Sequence, residues 1–354
     1  DSVLNWSIQN GTKRDVEALL AAGARIEGSD ELGLRPLGFA AGTGKLDITK
    51  LLIKGGANVD AGSLHDIRDS AGGHMTTKVD RAIHFAAQNG KTVILGELLR
   101  AGADPNCPNE KGVTPLMAAC RTTLAVGTAE ARELLEKGAD PAFIDEEGWT
   151  ALHWAAHRGH HDVIDMLLSK APTTLYQTAH DYATPLFFAV NGGHKNAVSR
   201  LLSAGVKNQA IRSDAPAAAG EGVGDVVRMQ VDECLKPIRT SVMIPYAIAT
   251  AAAKGHARIL QMLLVVEGED KLEHWARSGF DGCLTLHRAA KYGQLATTSV
   301  LLAAGANERA CCCGMTASEH AGRPMMLDAK GPAFVRATVR LLARGPAFRA
   351  RSWA

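Results

Sequence analysis

Apolar residues recur along this chain in two alternating kinds of segment. A short run rich in small residues, such as "AIHFAA" at 82–87 or "ALHWAA" at 151–156, is followed after a glycine by a run that carries a leucine pair. The pairs are Leu19-Leu20, Leu51-Leu52, Leu98-Leu99, Leu134-Leu135, Leu167-Leu168, Leu201-Leu202, Leu263-Leu264, Leu301-Leu302 and Leu341-Leu342. This alternation predicts two helices in succession. Thr114-Pro115 and Thr184-Pro185 suit the start of the first helix, because the N–H that proline lacks has no partner in a first turn. Gly90, Gly159 and Gly293 suit its left-handed end. Gly23-Ala24, Gly56-Ala57, Gly102-Ala103, Gly138-Ala139 and Gly305-Ala306 end the second helix and lead into a hairpin. The small pairs Ala86-Ala87 and Ala155-Ala156 allow neighbouring helices to approach within about 8–10 Å.

The pairing of segments is periodic. Leu4 to Leu37 and Ile83 to Leu116 each span 33 positions, and Leu152 to Leu186 spans 34. Such a period, with "GWTALHWAAHRGHHDVIDMLL", "DRAIHFAAQNGKTVILGELLRAGADPN" and "LTLHRAAKYGQLATTSVLLAAGAN" as its best copies, resembles the ankyrin repeat. The resemblance implies an all-α repeat solenoid of about nine helix-turn-helix units with β-hairpin-like tips, a single array over residues 1–354. One unit cannot bury its own apolar face, so neighbours must stack. The first unit, from Leu4, and the last, near Leu341-Leu342, would be caps, with Gln9, Asn10, Lys13 and Arg14 polar on the leading outer face.

The period breaks in four places. Residues 61–79 are expected to be an inserted loop. Residues 207–243 form a long insert, in which Val227, Val231, Cys234 and Leu235 recur at helical spacing and predict a short extra helix. Residues 267–282 form another inserted loop, and 330–354 a basic C-terminal end. Inserts of this kind emerge at loop tips, where binding residues concentrate.

Composition supports a folded chain. Apolar residues make up 46% and charged residues 21%, outside the disordered range. A formal charge of +2 gives little reason to expect nucleic acid as a partner. The basic end holds Lys330, Arg336, Arg340, Arg344, Arg349 and Arg351 without an acid, an arm suited to an acidic surface. Seven cysteines without disulfide-like spacing point to an intracellular, reducing compartment, the cytoplasm first. No run approaches a membrane span. The chain begins at Asp1, which leaves an organelle open as the destination after a targeting sequence is cleaved.

The candidate chemistry is sparse. His153 and His157 stand four apart, as helical zinc ligands do, but Trp154 occupies the place of the glutamate that a zinc protease needs. His153, His84 and His287 share one position of the repeat, where the resemblance implies an imidazole bridging backbone groups. "GFAAGTGKL" and "HFAAQNGKT" lack the first glycine of a phosphate-binding loop. No nucleophile elbow appears, so no catalytic residue, metal or cofactor is expected.

What remains is surface. The resemblance implies a groove between the hairpin tips and the exposed face of the first helices. Its variable positions are Glu31, Leu32 and Leu34; Gln88 and Asn89; Glu110, Lys111 and Arg121; Glu146, Glu147, Trp149, His157 and Arg158; Asn191; Lys254; and Lys291 with Tyr292. Trp, Tyr and Arg dominate binding hot spots. The function expected is non-catalytic binding of another protein or complex, as adaptor, scaffold or accessory subunit. The alternative is a regulatory repeat segment of a longer enzyme or membrane protein.

Overall fold

The computed structural model describes residues 2–30, 33–68, 74–122, 127–180, 183–213, 243–267, 285–307, 311–312, 315–322, 337 and 340–341. Outside these lie Glu31, Leu32, the helix expected near 226–235, most of the 267–282 insert and nearly all of the basic end. The chain divides into two compact units, Asp1–Tyr182 and Ala183–Ala354.

In the first unit, short helices alternate with longer or equal ones. They are α1 (Ser2–Asn10), α2 (Lys13–Ala21), α3 (Pro36–Thr43), α4 (Leu46–Lys54), α5 (Ala82–Gln88), α6 (Thr92–Arg100), α7 (Pro115–Cys120), α8 (Thr128–Glu136), α9 (Ala151–Arg158) and α10 (His161–Lys170), followed by a 3-10 turn, Pro172–Tyr176. The first helices α1, α3, α5, α7 and α9 stack in one layer, and α2, α4, α6, α8 and α10 stack in a second. The other unit repeats the plan. Its first helices are α11 (Pro185–Asn191), α13 (Met243–Lys254), α15 (Thr285–Lys291) and α17 (Ala317–Gly322). Its second layer is α12 (Lys195–Ser213), α14 (Ala257–Glu267) and α16 (Leu295–Ala303). Each unit is an all-α repeat solenoid of helix-turn-helix modules.

The apolar pattern explains the layers. Ile83, Leu116 and Leu152 on first helices, and Leu52, Leu98, Leu134 and Leu167 on second helices, are completely buried. Each such side chain contributes about 1.5–3 kcal/mol on leaving water. Ala86, Ala87, Ala155 and Ala156 are equally buried, and their small size sets the close approach of the stacked helices.

Histidines staple the repeats together. The His84 Nδ1 accepts the Arg81 N–H (3.2 Å), and its Nε2 lies 3.1 Å from the Val113 carbonyl of the next repeat. That pattern puts the ring proton on Nε2. His287 reaches the Met315 carbonyl in the same way, at 3.1 Å. The histidine that opens a second helix points the other way: His160 Nε2 lies 3.0 Å from the carbonyl of Thr122, at the end of the preceding repeat's first helix.

The expected loop at 61–79 holds a strand pair. β1 (Gly62–Arg68) and β2 (His74–Arg81) run antiparallel, with Leu64 opposite Lys78 and Arg68 opposite His74, and the register shifts between Gly62 and Leu64. Gly72-Gly73 between them and the β-branched Thr76, Thr77 and Val79 are hairpin signals that a search for the helical period overlooks. Arg35 and Arg81 occupy the positions that Thr114, Thr150 and Thr184 fill elsewhere. Arg35 Nε donates to the Gly62 carbonyl (2.8 Å), and Arg81 donates to the Asp60 and Pro108 carbonyls (2.9 Å each). The long guanidinium side chains thus tie consecutive tips together. Near the end of the chain, β3 (Cys311–Cys312) and β4 (Met315–Thr316) pair antiparallel just before α17.

Candidate functional site

The hairpin tip before α9 is organised by one carboxylate. Asp145, 6% exposed, donates its N–H to the Trp149 carbonyl (2.9 Å) and accepts the Gly148 N–H at its own carbonyl (2.9 Å). Its Oδ1 accepts the N–H groups of Glu147 (3.0 Å) and Trp149 (2.8 Å), and its Oδ2 accepts the indole N–H of Trp154 (2.9 Å). A short polar side chain that satisfies the backbone two and four residues ahead favours a tight turn. Gly148 has φ 75° there. Asn109 builds the preceding tip likewise, accepting the N–H groups of Lys111 (3.0 Å) and Val113 (2.9 Å).

Successive tips are also bonded to each other. The Glu146 N–H donates to the Lys111 carbonyl (3.0 Å), and the His180 N–H to the Glu147 carbonyl (3.1 Å). The side chains of Glu110, Lys111, Glu146 and Glu147 point from this fixed backbone into solvent.

Because Asp145 holds both Trp149 and Trp154, the tip closes over the first helix. The two indole centroids lie 4.4 Å apart at a tilt of 47°. His157 stands edge-on to both, 5.6 Å from Trp149 and 6.5 Å from Trp154. The Arg121 guanidinium, from the end of α7, lies 4.8 Å from the Trp154 ring. An aromatic pair of this kind contributes about 0.5–1.5 kcal/mol, and an exposed cation–π contact about 0.5–1 kcal/mol. Trp149, Trp154 and His157 are half-buried, while Arg121 and Arg158 are exposed.

The other candidate positions separate by unit. In the first, Gln88 and Asn89 are exposed at the end of α5, and Asn89 Nδ2 donates to the Phe85 carbonyl (2.9 Å), capping that helix. Leu34 is half-buried, its N–H held by the Asp30 carboxylate (2.9 Å). In the second, Asn191 is half-buried and Lys254 exposed. The Lys291 ammonium lies 5.9 Å from the exposed Tyr292 ring. The structure therefore brings together Arg121, Glu146, Glu147, Trp149 and His157. Two participants escaped the sequence reading. Trp154 occupies the position after the repeat histidine, and superposing the repeats would have exposed it as a surface position. Asp145 looks like an ordinary turn residue, and nothing in the sequence marks its bond to Trp154.

Burial moves several titratable groups of the fold off their ordinary values. Burial holds His84 below its ordinary value, with the Asp80 carboxylate pulling the other way. Burial likewise lowers His256. Burial pushes the Cys107 thiol up to about 11 and Cys120 to about 12, where the reactive thiolate is scarce. His153 accepts the Thr150 N–H at Nδ1 (3.1 Å), so its place in the repeat accounts for the spacing to His157.

Comparison with known proteins bears on this geometry. The family model for ankyrin repeats (3 copies) matches residues 83–177, from the second residue of α5 past the end of α10. Residues 83–177 are ankyrin repeats. The chain is 33% identical over 192 residues to ankyrin repeat and SOCS box protein 3 of Bos taurus, covering 53% of this chain and 33% of that protein. It is 34% identical over 119 residues to E3 ubiquitin-protein ligase KEG of Arabidopsis thaliana, 33% of this chain and 7% of that protein. It is 28% identical over 206 residues to ankyrin repeat and KH domain-containing protein mask-1 of Caenorhabditis elegans, 54% of this chain and 6% of that protein. The matches thus span a third or less of each relative's length. Ankyrin repeats are protein–protein interaction modules, and among the described residues no helix is long and apolar enough to cross a membrane.

Proposed function

We propose that this ankyrin array is a non-catalytic adaptor, scaffold or accessory subunit that binds another protein through the tips and first-helix face of its first unit. The observation that carries the reading is the cluster of Trp149, Trp154, His157 and Arg121, fixed from behind by Asp145 and flanked by the exposed Glu146 and Glu147. A pre-organised aromatic and arginine surface loses little side-chain entropy on binding. The rigid tip backbone adds to that advantage. Nucleic acid is not the partner in this reading, because exposed carboxylates stand beside the arginines of the cluster. The basic end at 330–354 would supply a second contact with an acidic surface. The compartment that fits is a reducing one, the cytoplasm or an organelle.

The length of the relatives favours a second reading, in which the array is the regulatory segment of a longer protein. Both readings place the grip on the same face. Capture from native extract, quantified by mass spectrometry, tests it. Replacing Trp149 and Trp154 together by alanine is expected to cut capture of the specific partner by about tenfold or more, since hot-spot losses reach about 2 kcal/mol. Undiminished capture by a folded double variant would refute the reading. Tyr292→Ala probes the second unit separately.

A further inference from the structure

The surface around Trp154 continues along the first unit. When the first helices are superposed, the position of Trp154 in α9 is filled by Trp6 in α1, Phe39 in α3, Phe85 in α5 and Ala118 in α7. On α1, α3, α5 and α9 the flanking residues are buried and the ring is not: Trp6 is 65% exposed, and Phe39, Phe85 and Trp154 are half-buried. Phe85 and Trp154 each reach the end of the preceding first helix. Phe85 passes over Gly42, where an added Cβ would lie 3.4 Å from the Phe85 Cβ. Trp154 lies under Arg121. Gly42 and Arg121 hold the same place, three residues after Phe39 and Ala118. The result is one aromatic stripe crossing the stacked helices, with a single gap at Ala118.

The flanks of the stripe differ in charge. Along the tips stand the exposed Glu110, Glu146 and Glu147, which form no ion pair among the described residues, with Lys111 as the one exposed cation beside them. At the far ends of the first helices stand Arg121 and Arg158, with Lys45 and Lys91 just beyond α3 and α5.

We infer that the stripe is a docking track for an extended segment of a partner protein, with proline or aliphatic side chains at every third residue and lysine or arginine between them facing the tips. Stacked helices succeed one another at about 8–10 Å. An extended polyproline-type chain advances roughly 9 Å per three residues, so its repeat matches that of the rings. A helical ligand presents anchors at positions i, i+3, i+4 and i+7 along one axis, a denser set than the single ring that each stacked helix offers about every 8–10 Å. Trp6, Phe39, Phe85 and Trp154 would take residues i, i+3, i+6 and i+12, with the gap falling at Ala118. Aromatic-lined grooves take such segments because the extended chain has little entropy left to lose. The unpaired carboxylates on the tips supply the charge complementarity that sets the side on which the basic residues lie.

This inference rests on the proposed binding face and adds the chemistry of its ligand. The test pans the full chain against a phage-displayed library of random 16-residue peptides. Enriched peptides are expected to share apolar or proline residues at a spacing of three, with basic residues between. Their affinity should fall by about tenfold with Phe85→Ala and with the pair Glu146→Lys and Glu147→Lys. Trp6→Ala, on an exposed side chain, tests the stripe without disturbing the fold, and it should weaken the longest peptides. Enrichment at helical spacing, enrichment insensitive to these variants, or no enrichment would overturn the inference. If native capture still depends on Trp149 and Trp154 in that event, the binding face stands and only its ligand is misassigned.

Discussion

At the residue scale, the repeat histidines show how one imidazole links two modules. His84 accepts a hydrogen bond from its own turn and donates one to the next repeat, and it can do both only as the neutral tautomer protonated on Nε2. Burial lowers its pKa in the folded chain, whereas the unfolded chain titrates near the ordinary value of about 6.5. Its contribution to stability is therefore complete above about pH 6.5 and is lost as the pH falls from there towards the folded-state value. Thermal melts between pH 7.5 and 5 should fall more steeply for the native chain than for His84→Gln. Equal slopes would contradict the assignment. The histidine positions were legible from the repeat, but the direction of their bonds was not. The His160 ring bonds backward and the His84 ring forward, a difference that appears only once the helices are stacked.

At the element scale, the tips depend on tight turns that few residues can make. Gly148 sits at φ 75°, and a Cβ there would lie 2.8 Å from the His180 ring and 3.0 Å from the His180 amide nitrogen. Gly148→Ala should cost about 1–2 kcal/mol from the left-handed backbone alone. That corresponds to a Tm lower by roughly 2–8 °C. A melt unchanged within error would mean that the tip relaxes freely, and that it cannot serve as a rigid support for Trp149. The helices themselves were readable, because the alanine pairs, the leucine pairs and the glycine ends repeat at fixed offsets. The strand pair β1 and β2 was not read, since its signals are local and interrupt the period instead of following it. Arg35 and Arg81 also stand where threonine is usual, and their bonds to Gly62, Asp60 and Pro108 lie across sequence gaps that no local pattern encodes.

At the scale of the whole molecule, each unit gains its stability from neighbours that share buried apolar faces. This leaves the exposed face of the first layer free to vary. The face was legible as a set of variable positions, but its internal order was not: that Trp149 rests on Trp154, and that Asp145 holds both, requires the folded tip. The account's central claim is that this tip and helix face of the first unit is where a partner is held. Hydrogen exchange measured by mass spectrometry on the chain, free and bound to its captured partner, tests this most directly. The account predicts that amides of the tips, residues 109–113 and 145–150, slow by about tenfold or more on binding, while the second-layer helices α4, α6 and α8 stay unchanged. Slowing confined to the second unit, or spread evenly over both layers, would contradict it.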